Sequence, residues 1–145
     1  MKIAIASDHA GFRLKEGLKA FFERNNIDYI DFGTDSTASV DYPDFAKKVV
    51  DCIRNGCADF GVLICGTGLG MSIAANRFKG IRAALCFFPE MARLARKDNN
   101  ANILVLPGRF MGIELAEWVL SAFLETKFEG GRHERRIRKL EDYGP

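Results

Sequence analysis

The sequence predicts an α/β fold, a doubly wound parallel sheet covered by helices on both faces. Five short apolar runs alternate with helical segments from end to end, a pattern typical of parallel sheets. Hydrophobic residues make up 48% of the 145 residues, enough for one buried core. Right-handed crossovers then give a five-stranded, Rossmann-like sandwich with a C-terminal helical tail. Because we find no internal repeat, low-complexity tract or shift in composition, we expect a single domain over residues 1–145.

The first part of the chain predicts a strand, a helix and a second strand. Residues 2–7 are a short run rich in Ile and Ala, which indicates a strand. In the helix that follows, apolar residues spaced four, three and one apart share one face, and Asn25-Asn26 end it. These apolar residues are Leu14, Leu18, Phe21 and Phe22. Residues 27–33 are the second predicted strand.

The remaining elements follow from the same signals. Pro43 lies in the first turn of the second helix, and Asn55-Gly56 end that helix. Its apolar face is formed by Phe45, Val49, Cys52 and Ile53. The third strand, 59–65, is apolar enough for burial on both faces. After it we expect a helix over 71–78, strands over 80–86 and 101–108 with a helix over 90–97 between them, and helices over 113–125 and 132–142.

Charge and composition exclude several classes of function. Lys plus Arg is 21 and Asp plus Glu is 19, a balance too near neutral for a dedicated nucleic-acid or anionic-membrane protein. The first residues lack the apolar core of a signal peptide, and no stretch reaches the ~18 apolar residues of a membrane span. We therefore expect a soluble cytoplasmic protein with no nucleic-acid or membrane partner.

The four cysteines do not follow a metal-binding pattern. They form no CxxC pair and fit neither zinc-finger nor zinc-ribbon spacing. An intracellular chain of this size does not need disulfides, so we expect each cysteine to be a core residue or a reactive thiol. Cys52 and Cys57, on or just after a helix, are predicted to be structural, and Cys86 is followed by no anion-binding turn.

Candidate functional residues lie where the predicted strands end. Ligands of doubly wound sheets bind beyond the carboxyl ends of the strands. The first strand is followed by Asp8 and His9, the third ends in Cys65, and the fifth is followed by Arg109. The alternative to a functional role is that Asp8 caps a helix and that His9 is simply the exposed residue beside it.

Cys65 precedes a glycine-rich turn, Gly66 to Gly70, at the start of a helix. Backbone amides and a helix start favour a thiolate and bind an oxyanion, so we favour a reactive thiol over a structural cysteine. The turn lacks the GxGxxG spacing of dinucleotide sites and the lysine of a P-loop. A Cys-dependent phosphatase loop is also disfavoured, because Met71 stands where it needs arginine.

Two arginines of the last helix are candidates for a phosphate site. Arg132 and Arg136 are four residues apart and share one helix face. These arginines either belong to a solvent-exposed basic helix or together bind one phosphate, with Arg109 as a third contributor.

Several motifs together resemble one known family. They are SDHAGF at 7–12, DYPD at 41–44, CGTGLGMSIAANR at 65–77, GIRAALC at 80–86, NNAN at 99–102 and GGRHERR at 130–136. In this order, and over most of the chain, they resemble the type B ribose-5-phosphate isomerases, a family shared with galactose-6-phosphate isomerase. The resemblance implies an aldose–ketose isomerase of the pentose phosphate pathway that interconverts ribose 5-phosphate and ribulose 5-phosphate without metal or cofactor.

The resemblance also implies roles for individual residues. Cys65 is the base that moves a proton between C2 and C1 through a cis-enediol(ate), and Thr67 adds a hydroxyl beside those carbons. Amides of Gly66, Thr67, Gly68, Leu69 and Gly70 stabilise the oxyanion. Sugar and phosphate contacts are implied for Asp8, His9, Tyr42, Asn99, Arg109, Arg132 and Arg136. Family members are homodimers or homotetramers with active sites shared between subunits.

Asp98 departs from the family pattern, which has histidine there as a proton donor. An ionised aspartate accepts protons at neutral pH, so ring opening falls to His9 or Asp8, to a protonated Asp98, or is avoided by use of the open sugar. We rank His9 first. The alternatives for the whole chain are an isomerase of a six-carbon sugar phosphate, such as allose or galactose 6-phosphate, and a non-catalytic sugar-phosphate-binding module.

Overall fold

The computed structural model describes residues 1–143 and contains five parallel strands and six helices. The strands are β1 Lys2–Ser7, β2 Asp28–Asp31, β3 Phe60–Cys65, β4 Ala83–Leu85 and β5 Ile103–Pro107. The helices are α1 Phe12–Arg24, α2 Tyr42–Arg54, α3 Leu69–Ala75, α4 Pro89–Asn99, α5 Ile113–Glu125 and α6 Arg132–Glu141. One sheet with the order β2-β1-β3-β5-β4 contains all five strands, which confirms the predicted fold class. The last two residues of the predicted domain lie outside the described residues.

The sheet buries apolar side chains on both faces. Along β1, Ile3 and Ile5 point into one core while Ala4 and Ala6 point into the other. The first core is completed by helices α1, α4 and α5, and the second by α2 and α3. This two-sided burial explains why the strands read as continuous apolar runs. Within residues 1–143, none of the helices has the length and apolar character needed to cross a membrane.

The strand order reverses between β1 and β3. From β1 the chain moves outward to β2, and it then returns to β3 on the other side of β1. Ser7 pairs with Ile64, and Cys65 pairs with Pro107, so β1, β3 and β5 end at the same level. The loops after these three strands therefore meet at one edge of the sheet.

Several predicted boundaries differ from the structure. The fourth strand is shorter than 80–86, and side chains bind two amides at its start: Asn102 accepts from the Arg82 amide at 2.8 Å, and Asn76 accepts from the Ala83 amide at 2.8 Å. Helix α3 begins at Leu69 rather than residue 71. Helix α4 continues to Asn99, so Asp98 lies in its last turn.

The expectation that no cysteines pair is wrong. Cys52 and Cys57 form a disulfide, with their Cα atoms 5.0 Å apart. Asn55 ends α2, and Gly56 follows with a φ of +75°, which turns the chain back on itself. The Cys57 amide then donates to the Cys52 carbonyl at 2.9 Å, which places the two side chains side by side. Cys65 and Cys86 are free and buried.

Candidate active site

A cavity of 170 Å³ lies at the carboxyl ends of β1, β3 and β5. The loops after these strands and the first residue of α2 surround it. Its lining residues are Asp8, His9, Ala10, Tyr42, Cys65, Gly66, Thr67, Gly70 and Arg109. Eight of these nine residues are sequence-predicted site residues, so the structure brings together most of the site expected from the strand ends.

Cys65 is the only thiol among the residues that line this cavity. It ends β3 and is 5% exposed. The other free thiol, Cys86, is buried after β4, and burial raises its pKa to about 11. Because a thiolate is the reactive form of cysteine, this burial disfavours the reactive form of Cys86 near neutral pH. Cys65 is therefore the candidate nucleophile or base.

The turn after Cys65 presents uncommitted backbone donors. Within residues 1–143, the amides of Gly66, Thr67, Gly68 and Gly70 donate to no protein acceptor. The Leu69 amide differs, because it donates to the Thr67 hydroxyl oxygen at 3.1 Å. Free amides grouped beside a thiol are suited to an anionic oxygen that develops during a reaction.

Glycine is required in this turn for two reasons. Gly68 has a φ of +78°, a conformation that other residues rarely adopt, and a β-carbon there would overlap Leu85 Cδ1. At Gly66, a β-carbon would lie 3.0 Å from Arg109 Nε. The missing side chain at Gly66 thus allows the Arg109 guanidinium to lie directly over the turn.

Arg109 brings an unpaired positive charge to the cavity. Its amide donates to the Gly66 carbonyl at 2.9 Å, which links the loop after β5 to the turn after β3. Among the described residues, no carboxylate forms an ion pair with its guanidinium. A free guanidinium beside a cavity favours a phosphate or carboxylate ligand.

Asp8 and His9 are held by the backbone. Asp8 Oδ1 accepts from the amides of Ala10 at 2.9 Å and Gly11 at 3.1 Å, so Asp8 caps the turn that leads into α1. His9 Nδ1 accepts from the Val40 amide at 3.2 Å. The proton of the neutral imidazole is therefore on Nε2, and His9 is a hydrogen-bond donor at that atom.

Six predicted site residues do not line the cavity. Gly68 is buried and Leu69 is 58% exposed, although both belong to the turn. Asp98 and Asn99 lie in the last turn of α4, and Arg132 and Arg136 are exposed on α6. Within this chain these four residues form a separate surface, which we call the α4–α6 surface. Asp98 contacts His133 there, at 3.4 Å from Oδ1 to Nε2.

Sequence reasoning missed two residues that shape the site. The Val40 amide fixes the imidazole of His9, and no sequence signal identifies that contact. Gly11 allows α1 to start against β3, because a β-carbon there would lie 2.6 Å from the Ile64 carbonyl oxygen. The SDHAGF motif contains this glycine, so its position in a shared motif is a usable signal.

The position of the cavity and the groups inside it define a class of protein. Doubly wound enzymes bind their substrates where the strand order reverses, and here that place holds an acid–base group and free amides. The molecule is an α/β enzyme for a small anionic substrate. Comparison with known proteins specifies the family: residues 3–140 match the model of the Ribose/Galactose Isomerase family, and the chain belongs to that family. It is therefore an aldose–ketose isomerase rather than a non-catalytic binding module.

Individual relatives are similar over nearly their whole length. The chain is 44% identical to ribose-5-phosphate isomerase B of Escherichia coli, over 96% of this chain and 93% of the relative. A crystal structure of a ribose 5-phosphate isomerase from Thermotoga maritima is 66% identical, with a TM-score of 0.97 and 98% of each chain covered. The Mycoplasma genitalium enzyme with bound ribulose-5-phosphate is 43% identical, with a TM-score of 0.92, covering 98% of this chain and 95% of that one.

Proposed function

We propose that this enzyme interconverts ribose 5-phosphate and ribulose 5-phosphate through a cis-enediol(ate). The observation that carries the proposal is the position of Cys65, which lines the cavity directly before a turn of uncommitted amides. The names of the E. coli and T. maritima relatives, and the ligand of the M. genitalium enzyme, support the five-carbon substrate.

Cys65 acts as the base. Its thiolate removes the proton from C2 of the open aldose, and the electron pair of that C–H bond forms the C1–C2 double bond of the enediolate. The proton is then returned at C1, the proton of the C2 hydroxyl passes to the oxygen on C1, and the carbonyl forms at C2, which gives the ketose. Thr67 lies in the same cavity, and its hydroxyl group is a proton donor or acceptor for the oxygens on C1 and C2. The reverse reaction uses the same groups.

The turn stabilises the charge that develops on the sugar oxygen. The amides of Gly66, Thr67, Gly68 and Gly70 are fixed by the backbone before the substrate binds, so no reorganisation is needed during the reaction. Leu69 belongs to the same turn, but its own amide donates to the Thr67 hydroxyl oxygen. A thiolate base and backbone donors together supply what the reaction requires, and the proposed mechanism therefore uses no metal or other cofactor.

Ring opening is assigned to His9. Because Nδ1 is occupied by the Val40 amide, the Nε2 proton is available to the ring oxygen of the cyclic sugar. Asp8 has one carboxylate oxygen engaged with backbone amides, and its second oxygen is available to a sugar hydroxyl. Tyr42 forms the wall of the cavity over Gly70.

A second copy of the chain completes the site in this proposal. Asp98, Asn99, Arg132 and Arg136 do not line the cavity of their own chain, and both arginines are exposed without carboxylate partners among the described residues. Leu69 and Ile73, on the α3 face beside the cavity, are 58% and 64% exposed, which suits an apolar contact. We propose a homodimer or homotetramer in which the α4–α6 surface of one copy meets the cavity of another and supplies phosphate and sugar contacts.

The remaining expectations follow from this substrate. A phosphorylated sugar carries charge and does not cross a bilayer unaided, so we place the enzyme in the cytoplasm. All of residues 1–145 belong to one domain in this proposal, since both cores include segments from the N- and C-terminal halves of the chain.

The test is an isomerase assay with purified protein in the presence of a chelator. We expect conversion of ribose 5-phosphate, a loss of about 10²- to 10⁴-fold in kcat for Cys65→Ala, and near-normal kcat for Cys86→Ala as the matched control. Activity that needs added metal, or that survives the loss of Cys65, contradicts the mechanism. A higher kcat/KM for allose 6-phosphate or galactose 6-phosphate than for ribose 5-phosphate contradicts the substrate.

A further inference from the structure

A cluster of three side chains beside the α4–α6 surface has the composition of a metal site. Asp98 lies in the last turn of α4, Glu129 lies in the loop before α6, and His133 lies in the first turn of α6. One potential ligand atom from each residue lies within 4.8 Å of the others. None of the steps proposed for the isomerisation uses Glu129 or His133.

His133 has a buried ring nitrogen whose surroundings are not explained by the two nearby carboxylates alone. The residue is 7% exposed, and its Nε2 atom is buried and has no hydrogen-bond partner among the described residues. Nε2 is aimed at the two carboxylates, at 3.4 Å from Asp98 Oδ1 and 3.6 Å from Glu129 Oε2. A buried polar atom without a partner costs free energy, so this atom indicates a missing ligand.

The separations fit a metal ion better than hydrogen bonds. Ligands at about 2.0–2.1 Å from a tetrahedral ion lie about 3.3–3.4 Å from one another. The two distances to His133 are close to that value, whereas both are long for a charge-assisted hydrogen bond. Asp98 and Glu129 are partly exposed, so small rotations bring their oxygens to the remaining edge.

The backbone holds the three residues in place. The Glu129 amide donates to the Lys97 carbonyl at 3.0 Å, which ties the loop to the end of α4. Gly130 and Gly131 have φ values of +75° and +60° and turn the chain into α6. Lys97 lies beside the cluster, with its Nζ 3.9 Å from Glu129 Oε2 on an exposed side chain.

We propose that Asp98, Glu129 and His133 bind a divalent transition-metal ion of the Zn²⁺ class. One imidazole and two carboxylates suit Zn²⁺ or Co²⁺, and the imidazole disfavours Mg²⁺ and Ca²⁺. The ion joins α4 to α6 and so fixes the orientation of the helix that carries Arg132 and Arg136. It is not part of the proton transfer proposed for Cys65.

The test is calorimetric titration of ZnCl₂ into the full chain after removal of metal by a chelator. We expect one Zn²⁺ per chain for the unmodified protein, and binding weaker by more than ~10-fold for Glu129→Gln and for Asp98→Asn. Glu134→Gln is the matched control, because Glu134 lies on the same helix but pairs with Arg138 instead. It should bind Zn²⁺ as the unmodified protein does, and Zn²⁺ should raise the melting temperature of both. Glu129 is 44% exposed, so its variant should fold even where a change at buried His133 does not.

A thiol is the competing ligand for Zn²⁺ and needs its own measurement. Co²⁺ bound by nitrogen and oxygen gives visible bands without the near-ultraviolet absorption of a thiolate ligand. No Zn²⁺ binding, binding unchanged in Glu129→Gln and Asp98→Asn, or binding abolished by Cys65→Ala overturns the proposal. None of these results bears on the isomerase mechanism, which is measured separately in chelator.

Discussion

The ring of Tyr42 lies directly against the backbone of Gly70. A β-carbon on Gly70 would lie 2.8 Å from Tyr42 Cζ, so the first residue of α2 and the first turn of α3 touch across the cavity. This contact exists because position 70 has no side chain. The width of the cavity is therefore set jointly by a glycine and a tyrosine that are 28 positions apart in the sequence.

Gly70→Ala should displace the Tyr42 ring and lower kcat/KM by roughly 10- to 100-fold, since small displacements in an active site have costs of this size. Thermal stability should change little, because Tyr42 is partly exposed and free to move. Steady-state kinetics and a melting curve measure the two effects. Gly112→Ala is the control, because nothing lies within 4 Å of a β-carbon there and its φ is −79°. Equal kinetics for both variants would show that Tyr42 does not shape the site.

Alkylation should distinguish the two free thiols. Burial raises the pKa of Cys86 to about 11, so near pH 8 roughly one Cys86 in a thousand is a thiolate. Cys65 lines the cavity, and one equivalent of iodoacetamide should modify it first and abolish activity. Ribose 5-phosphate should slow the modification. Peptide mapping by mass spectrometry identifies the modified residue, and equal labelling of Cys86 would contradict the assignment.

Mixing two inactive variants should restore activity if sites are shared between copies. Cys65→Ala removes the base, and Arg132→Ala removes a phosphate contact contributed to the other copy's cavity. In a mixed dimer one site then contains neither substitution, so re-associated equimolar mixtures should reach about a quarter of normal activity. The measurement is the assay after denaturation and refolding together. Mixtures that stay as inactive as the separate variants would show that each chain uses its own residues.

Acid should weaken the fold through Asp31. Lys15, whose side chain is 1% exposed, and Lys19 lie 2.6 Å and 2.8 Å from Asp31 Oδ2. Burial raises the pKa of Asp31, but hydrogen bonds from the two lysines and the Gly33 amide outweigh it, so the net pKa lies below the ordinary 3.8. The unfolded chain therefore binds this proton at higher pH than the folded chain. The stabilisation is present above the ordinary value and is lost as pH falls through the folded value.

Asp31→Asn should accordingly lower the free energy of unfolding by about 2 kcal/mol near neutral pH, because the buried Lys15 charge loses its nearer carboxylate and keeps only Glu16 at 3.3 Å. The deficit should shrink as the pH falls below the ordinary carboxyl pKa. Urea denaturation at several pH values measures it. Asp28→Asn, at an exposed position of the same strand, should show neither effect. A deficit that is constant with pH would contradict the role of this carboxylate.

The disulfide halves the number of thiols that can be titrated before reduction. Protein purified without reductant and then denatured should show two titratable thiols, Cys65 and Cys86, and four after reduction. Ellman's reagent gives the count, and intact mass should rise by about 2 Da on reduction. Four thiols before reduction would show that Cys52 and Cys57 are not paired in the purified protein.

The fold was predictable because its signals are local. Strand and helix alternation located nearly every element, Pro43 and the helix ends at Asn25-Asn26 and Asn55-Gly56 helped to bound the first two helices, and the two-sided apolar character of β3 indicated a parallel sheet. The rule that ligands bind at strand ends then located Cys65, His9 and Arg109 at one edge. The contacts at the start of β4 were not predictable, because they depend on the side chains of Asn76 and Asn102, which accept from the amides of Ala83 and Arg82.

Contacts between distant segments explain the rest of what the sequence did not reveal. The Cys52–Cys57 pair depends on the backbone turn at Gly56, which the cysteine spacing alone does not indicate. The bond from Val40 to His9 joins residues 31 apart through a loop without regular structure. The distance of Asp98 and Arg132 from the cavity likewise depends on how the helices pack, which no sequence motif indicates.

The cavity lies at the ends of the three interior strands, where the motion of the outer strands disturbs it least. Local opening starts in segments with few buried contacts, and in this sheet those are the outer strands β2 and β4, of four and three residues. Either of them can fray and re-form at the end away from the cavity while the turns after Ser7, Cys65 and Pro107 stay where they are. Thermal fluctuation at the edges of the sheet therefore leaves the catalytic residues in place.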